Sequence, residues 1–467
     1  MFSKFLDSKK DICKKLVDEL DKVYPYVGLL GKHITGTNIV VTTRNISIND
    51  TREAQAGFVV KIYNGKCYSE YSFSDIEEKD IPQLVKEIEK KIALDSDILD
   101  HHVEGNILPD EPLTQTFSRE FEEDNYSDEQ IVNILKEYKD YMHSKSGKIV
   151  QAVSMLEKFE TSSFFLSKNR DLKQNFGWCI VLAYAVAREG QKMQSARDLT
   201  CGTNVRECLL GLKDKLDGTV QLAEELLHAE MIEPGVYDII TNPSITGLIA
   251  HEAFGHGVEM DMFVKHRAKA RRYINKPVAS PLVNMHDGAA STVSVGSYFF
   301  DDDGVLAHDT LIIKNGILQT GISDVVSAMQ LGKDPTGNGR RQEPSHKAYT
   351  RMTNTFFEPG KDKLEDMIAS IKHGYMLCDT SNGMEDPKNW NIQCTAEYGR
   401  EIKDGKFTGK IVAPVVMSGY VPDLLMSISA VSDDFEVIGA GHCGKGHKEW
   451  VPVSDGGPCL KARCKLS

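Results

Sequence analysis

Helical and strand-like hydrophobic periods alternate twice in the first 230 residues, and then the helical period almost disappears. In the first round, Leu6, Ile12, Leu16, Leu20 and Val23 fall on one face of a helix expected over about Lys4–Val23. Strand-like stretches follow at Asn38–Thr43 and Gly57–Phe73, the latter turning at Asn64-Gly65, and then a helix at Pro82–Leu94. The second round repeats the order. It runs through a helix at Asp128–His143, strands at Lys148–Lys158, Ser162–Leu166 and Gly177–Ala187, and a helix at Asn204–Leu227. This pattern predicts a mixed sheet covered by helices on one side, over residues 1–230.

From Pro234 onward one helix, about Pro243–Glu259, precedes a run of short strands: SVGSYFF, GVLAHDTLIIK, GILQTGI, KIVAPVVMSG and FEVIGAG. Turn signals separate them at Asp301–Gly304, Asn315-Gly316 and Asp404-Gly405. Residues 231–467 are therefore expected to form an antiparallel, barrel-like β domain. The fold class is α+β, a two-layer mixed α/β domain followed by a β domain that carries one special helix. The polar, glycine-rich segment Gly332–Asn354 is long enough to be a functional loop, and its Arg340-Arg341 pair could hold a peptide carboxylate.

The most informative residues are His251-Glu252-Ala253-Phe254-Gly255-His256. Two histidines flanking a glutamate on a helix suggest a metal site with a built-in base. A spacing of five places them about 140° apart on a regular α-helix, so they cannot both face one ion. One π-type turn would reduce that angle to about 50°, and Gly255 sits where such a distortion is easiest. A catalytic zinc needs three protein ligands and an open position. The third could come from Glu259 or Asp261, just after the helix. It could equally come from Gly441-His442-Cys443-Gly444-Lys445-Gly446-His447, where a cysteine between glycines can approach closely.

That cluster also matches GxGxxG and GxxxxGK. Too few residues follow for a βαβ unit, and Gly446 stands where a phosphate-binding loop needs Ser or Thr, so nucleotide binding is set aside. A net charge of -13, from 55 basic and 68 acidic side chains, disfavours nucleic acid as a partner. The longest apolar run, Gly177–Ala187, is too short to span a bilayer, and the N-terminus lacks a signal-peptide core. Ten scattered cysteines without a CxxC pair fit a reducing cytoplasm, with Cys201 and Cys208 as structural residues.

The segments HEAFGHGVEMD (His251–Asp261), YFFDDDGVLA (Tyr298–Ala307), TGNGRR (Thr336–Arg341), RMTNT (Arg351–Thr355) and HCGKGHKEWVPVSDGGP resemble the TldD/PmbA family of peptidases, and its metal-bearing TldD branch in particular. The resemblance implies zinc held by His251, His256 and Cys443, with Glu252 as general base. It also implies action on unfolded or leader peptides. A metal-less PmbA-type paralogue would form a heterodimer with this chain, unless it acts as a homodimer. His442 and His447 depart from the family pattern. A different expectation, a non-catalytic metal-stabilised partner or regulator, is separated from a peptidase by whether Glu252 is needed.

Overall fold

The computed structural model describes residues 2–98, 108–119, 126–445 and 448–467. The N-terminal half is an eight-stranded sheet whose central strands are Tyr26–Val41, Ile149–Leu166 and Arg170–Glu189. Helices Lys4–Leu20 and Ile81–Ile98 pack against Val27, Leu29, Phe164 and Leu166. Helices Asp128–Ser144 and Val205–Leu226 pack further along the same strands, against Ile39, Val41, Ala152 and Leu156. Residues two apart share a strand face, so odd positions of one strand and even positions of its neighbour place all four helices on one side. The expected one-sided covering is borne out.

The opposite face receives the C-terminal half. Leu30, Phe165 and Leu172 close on Phe300, and Ile34, Phe159, Trp178 and Ile180 close on Val295. Buried charges also cross the junction: Arg341 pairs with Glu70 at 3.2 Å, and Lys61 pairs with Asp303.

Five strands of the C-terminal half close into a barrel: His373–Asp386, Gly235–Thr241, Leu460–Leu466, Val415–Tyr420 and Asn391–Lys403, with the last returning to the first. The barrel is not purely antiparallel, because Gly374–Leu377 run parallel to Asp238–Thr241. A six-stranded sheet lies beside it and ends in Asn354–Phe357, Lys448–Gly457 and Glu436–Lys445. The expected strand SVGSYFF is irregular and contributes one bridge, Phe300 to Leu306. Its hydrophobic residues plug the junction between halves instead of lying in a ladder. The Asp301–Gly304 turn is as expected: Asp301 Oδ1 accepts N–H bonds from Asp303 and Val305, both at 2.9 Å, and Gly304 has φ of 78°. No helix among the described residues is long and apolar enough to cross a membrane.

Candidate metal centre

The site grows from the segment that begins at Asn242. Its side-chain oxygen accepts the Ile245 N–H at 3.0 Å, and Pro243 follows at the first helical position. Ile245, Leu248 and Ile249 are buried between the barrel and the six-stranded sheet. Gly247 permits a close approach of backbones, since a side chain there would stand 2.4 Å from the backbone nitrogen of Gly456.

The segment is not one regular helix. It is α-helical over Pro243–Ile249, widens to a π-helix over Ala250–Gly255, and tightens to a 3-10 turn over His256–Val258. The wide turn resolves the angular conflict set by the spacing of five. Both imidazoles now face the same space, with ring centroids 5.1 Å apart and planes at 89°.

Cys443 meets them from Glu436–Lys445, the edge strand of the six-stranded sheet. Its Sγ lies 3.1 Å from His251 Nε2 and 3.4 Å from His256 Nε2. All three donor atoms fall within 4.8 Å of one another. A tetrahedral zinc with normal Zn–N and Zn–S lengths separates its nitrogen and sulfur ligands by about 3.5 Å. Two neutral imidazoles and a thiolate are also a donor set that suits zinc. The residues fit the ion.

The electrostatics favour a thiolate. Burial opposes it, but the imidazoles of His251 and His256 outweigh burial and hold the Cys443 thiol well below its ordinary range. Burial likewise opposes charge on His251, yet Cys443 raises its pKa to about 9.

Glu252, one residue beyond His251, lines the same cavity of about 1310 Å³. Its Cγ lies against Gly383 of strand His373–Asp386, where an added side chain would stand 2.6 Å away. Among the further carboxyls that line this cavity, Glu385 and Asp455 were missed by sequence reasoning and lie near the cluster. Burial, with Glu252 nearby, raises the pKa of Glu385 to about 9, and burial raises that of Asp455 to about 6. A signal for Asp455 was present in the terminal segment SDGGP, but nothing local distinguished Glu385.

The other candidate ligands point elsewhere. Glu259 is buried behind His256, with Oε2 3.3 Å from Nδ1. Asp261 pairs with Lys265 at 3.0 Å and Lys445 at 2.7 Å. His442 turns away and meets Glu53 at 2.7 Å. His447 lies outside the described residues. Arg340 and Arg341 are not among the residues that line this cavity: Arg340 donates to the Met352 carbonyl at 2.8 Å, and Arg341 pairs with Glu70 at 3.2 Å. The segment Gly332–Asn354 matters through another residue, Arg351, which is wholly buried beside the cluster. Cys208 lies 3.4 Å from Cys179, in the helix-covered core.

The profile of the PmbA/TldA metallopeptidase C-terminal domain matches residues 234–463. A protein of Methanocaldococcus jannaschii named a metalloprotease is 30% identical over 341 residues, 72% of this chain and 73% of that one. The chain belongs to the TldD/PmbA family. A Saccharolobus solfataricus member named a zinc metalloprotease TldD homolog is 31% identical over 230 residues, 49% of this chain and 51% of that one. The crystal structure of TldE from Thermococcus kodakarensis shares the fold. Its TM-score is 0.76 at 18% identity, covering 98% of this chain and all of that one. The TldD/PmbA fold thus accounts for both halves, including the N-terminal sheet that carried no motif.

Proposed function

We propose that this TldD/PmbA member is a zinc-dependent peptidase of the metal-bearing TldD branch, acting on unfolded or leader peptides in the cytoplasm. The observation that carries the reading is the convergence of His251, His256 and Cys443 donors beside Glu252 in one cavity. The name of the Saccharolobus relative supports the choice of metal.

Zinc, when bound, would supply Lewis acidity toward the scissile carbonyl and make water a better acid. Glu252 takes a proton from the attacking water and delivers it to the leaving amine. His251, His256 and Cys443 would hold the ion at the wall of the cavity, the buried helical segment setting the separation of the two histidines and the strand Glu436–Lys445 presenting the cysteine.

The cavity wall also offers a way to bind an extended chain. Strand His373–Asp386 pairs with Gly235–Thr241 only through Gly374–Leu377. Among the described residues, no strand pairs with Thr380–Asp386 on that side, and Thr380 through Glu385 run along the cavity. A substrate added there as a strand would be held by backbone hydrogen bonds, which read little sequence and require an unfolded segment. The partner in this reading is a PmbA-type paralogue, or a second copy of this chain.

The test is hydrolysis of an unstructured fluorogenic peptide by zinc-loaded protein, alone and co-expressed with its paralogue, against a tightly folded substrate. Chelator-sensitive cleavage of the peptide, with the folded protein left intact, is expected. Stoichiometric zinc without turnover in both preparations would remove the peptidase reading.

A further inference from the structure

His256 and His251 are not equivalent. The Nδ1 of His256 lies 3.3 Å from Glu259 Oε2, while its Nε2 faces Cys443. The Nδ1 of His251 is buried with no hydrogen-bond partner among the described residues. Only His256 is therefore oriented from behind.

The carboxylate that does so is itself tightly held. Glu259 is 1% exposed and meets two cations from distant parts of the chain. Lys445 Nζ is 3.1 Å from its Oε2, and Arg351 Nε is 3.6 Å from its Oε1. Arg351, fully buried, also donates through Nη2 to the carbonyl of Cys443 at 2.7 Å. Lys445 reaches Asp261 as well, at 2.7 Å. Glu259 and Asp261 thus meet three cations, Arg351, Lys445 and the more exposed Lys265, in a cluster where a buried charge alone would be costly.

We propose that Glu259 is a positioning residue for the metal, clamped in place by Arg351 and Lys445. Accepting the Nδ1 proton fixes His256 in the tautomer whose Nε2 lone pair faces the ion. Arg351 ties that carboxylate to the backbone of the cysteine ligand, so the helix ligand and the strand ligand share one registration. Lys445, on the same strand as Cys443, ties the two segments a second time by pairing with Glu259.

The inference rests on the zinc reading above, and the test separates the two. Zinc affinity of the full chain is measured by competition with a chromophoric chelator, alongside the cobalt(II) absorption spectrum and the melting temperature of metal-free protein. Glu259→Gln keeps volume, but one amide cannot accept from His256, Lys445 and Arg351 together. The expected loss is about 10- to 100-fold in zinc affinity, with a changed cobalt spectrum. Arg351→Lys keeps a cation near Glu259 but cannot also reach the Cys443 carbonyl. A smaller loss, several-fold, is expected there, and this variant decides the matter if Glu259→Gln does not fold. Affinities within twofold of wild type and an unchanged cobalt spectrum overturn the inference alone. A wild-type chain that binds no zinc overturns the metal reading and this inference with it.

Discussion

A side chain at Gly255 would stand 2.1 Å from the sulfur of Met352, which is itself fully buried. Gly255 closes the π-helical turn that brings His256 round to His251, and Met352 follows the arginine that holds the Cys443 carbonyl. Gly255→Ala should therefore push against the segment that anchors the metal cluster. Overpacking of this kind costs about 1–3 kcal/mol. A lower melting temperature and weaker zinc binding are expected together, measured by calorimetry and chelator competition. An alanine variant with wild-type zinc affinity would show that the wide turn does not depend on this contact.

Glu252→Gln should leave the fold and the zinc content intact and abolish peptide hydrolysis. The substitution preserves size against Gly383, so packing gives no reason for unfolding. Loss of a general base costs roughly 10²–10⁴-fold in turnover. Single-turnover rates at stoichiometric zinc are the measurement, and near-wild-type turnover would return Glu252 to a structural role.

The spacing of five was legible as a problem before it was legible as a site. Two histidines on one helix can serve one ion only if the helix widens, and the structure widens it over Ala250–Gly255. Cys443 was not legible from spacing, because its contact with His251 spans 192 positions. Its glycine-flanked thiol made it one of the open candidates, and resemblance to a family singled it out. Arg351 and Lys445 were missed for the same reason: a buried cation is recognised by partners far away in the chain. The fold shows a parallel contrast. Strand Tyr26–Val41 is sixteen residues long, yet only its end is apparent from residue pattern. Glycines interrupt its alternation, and at Gly31 they make room for the ring of Phe164, which an added side chain would meet at 2.5 Å. Strand Leu113–Arg119 escaped notice because it is a mostly exposed edge, paired with Arg170–Phe176 on one side. Its exposed positions carry no hydrophobic period to read.

Acid should loosen the junction between the halves. Burial opposes charge on Glu70, but Arg341 and Lys61 outweigh it and hold the carboxyl down at about 2. A carboxyl whose folded pKa is depressed contributes stability above its unfolded value, here about 4.5, and loses it as pH falls toward 2. Glu70→Gln should thus be less stable at pH 7, by about 3 kcal/mol for a broken buried pair. The gap from wild type should narrow between pH 4.5 and the lowest pH reached. Urea midpoints at pH 7, 5, 4 and 3 are the measurement, and a gap that stays constant would exclude Glu70 as a source of acid sensitivity.

Cys443, and not His442 or Glu259, should complete the zinc site. The geometry separates the three candidates. Cys443 Sγ lies within 3.4 Å of both imidazole Nε2 atoms. His442 alternates with it along the strand, so its side chain points to the other face, where it meets Glu53. Glu259 reaches only the rear nitrogen of His256. Cys443→Ala should lose most of its zinc and its activity, whereas His442→Ala should keep both. Glu259→Gln should still load zinc at high metal concentration, since it removes support and not a donor atom. Alkylation gives a second reading. A zinc-bound thiolate is shielded, while in metal-free protein the two imidazoles hold the same sulfur ionised and reactive. Iodoacetamide should therefore label Cys443 quickly after chelation and slowly in zinc-loaded protein. Burial alone would give slow labelling in both states, so a rate that chelation does not change would remove Cys443 from the ligand set.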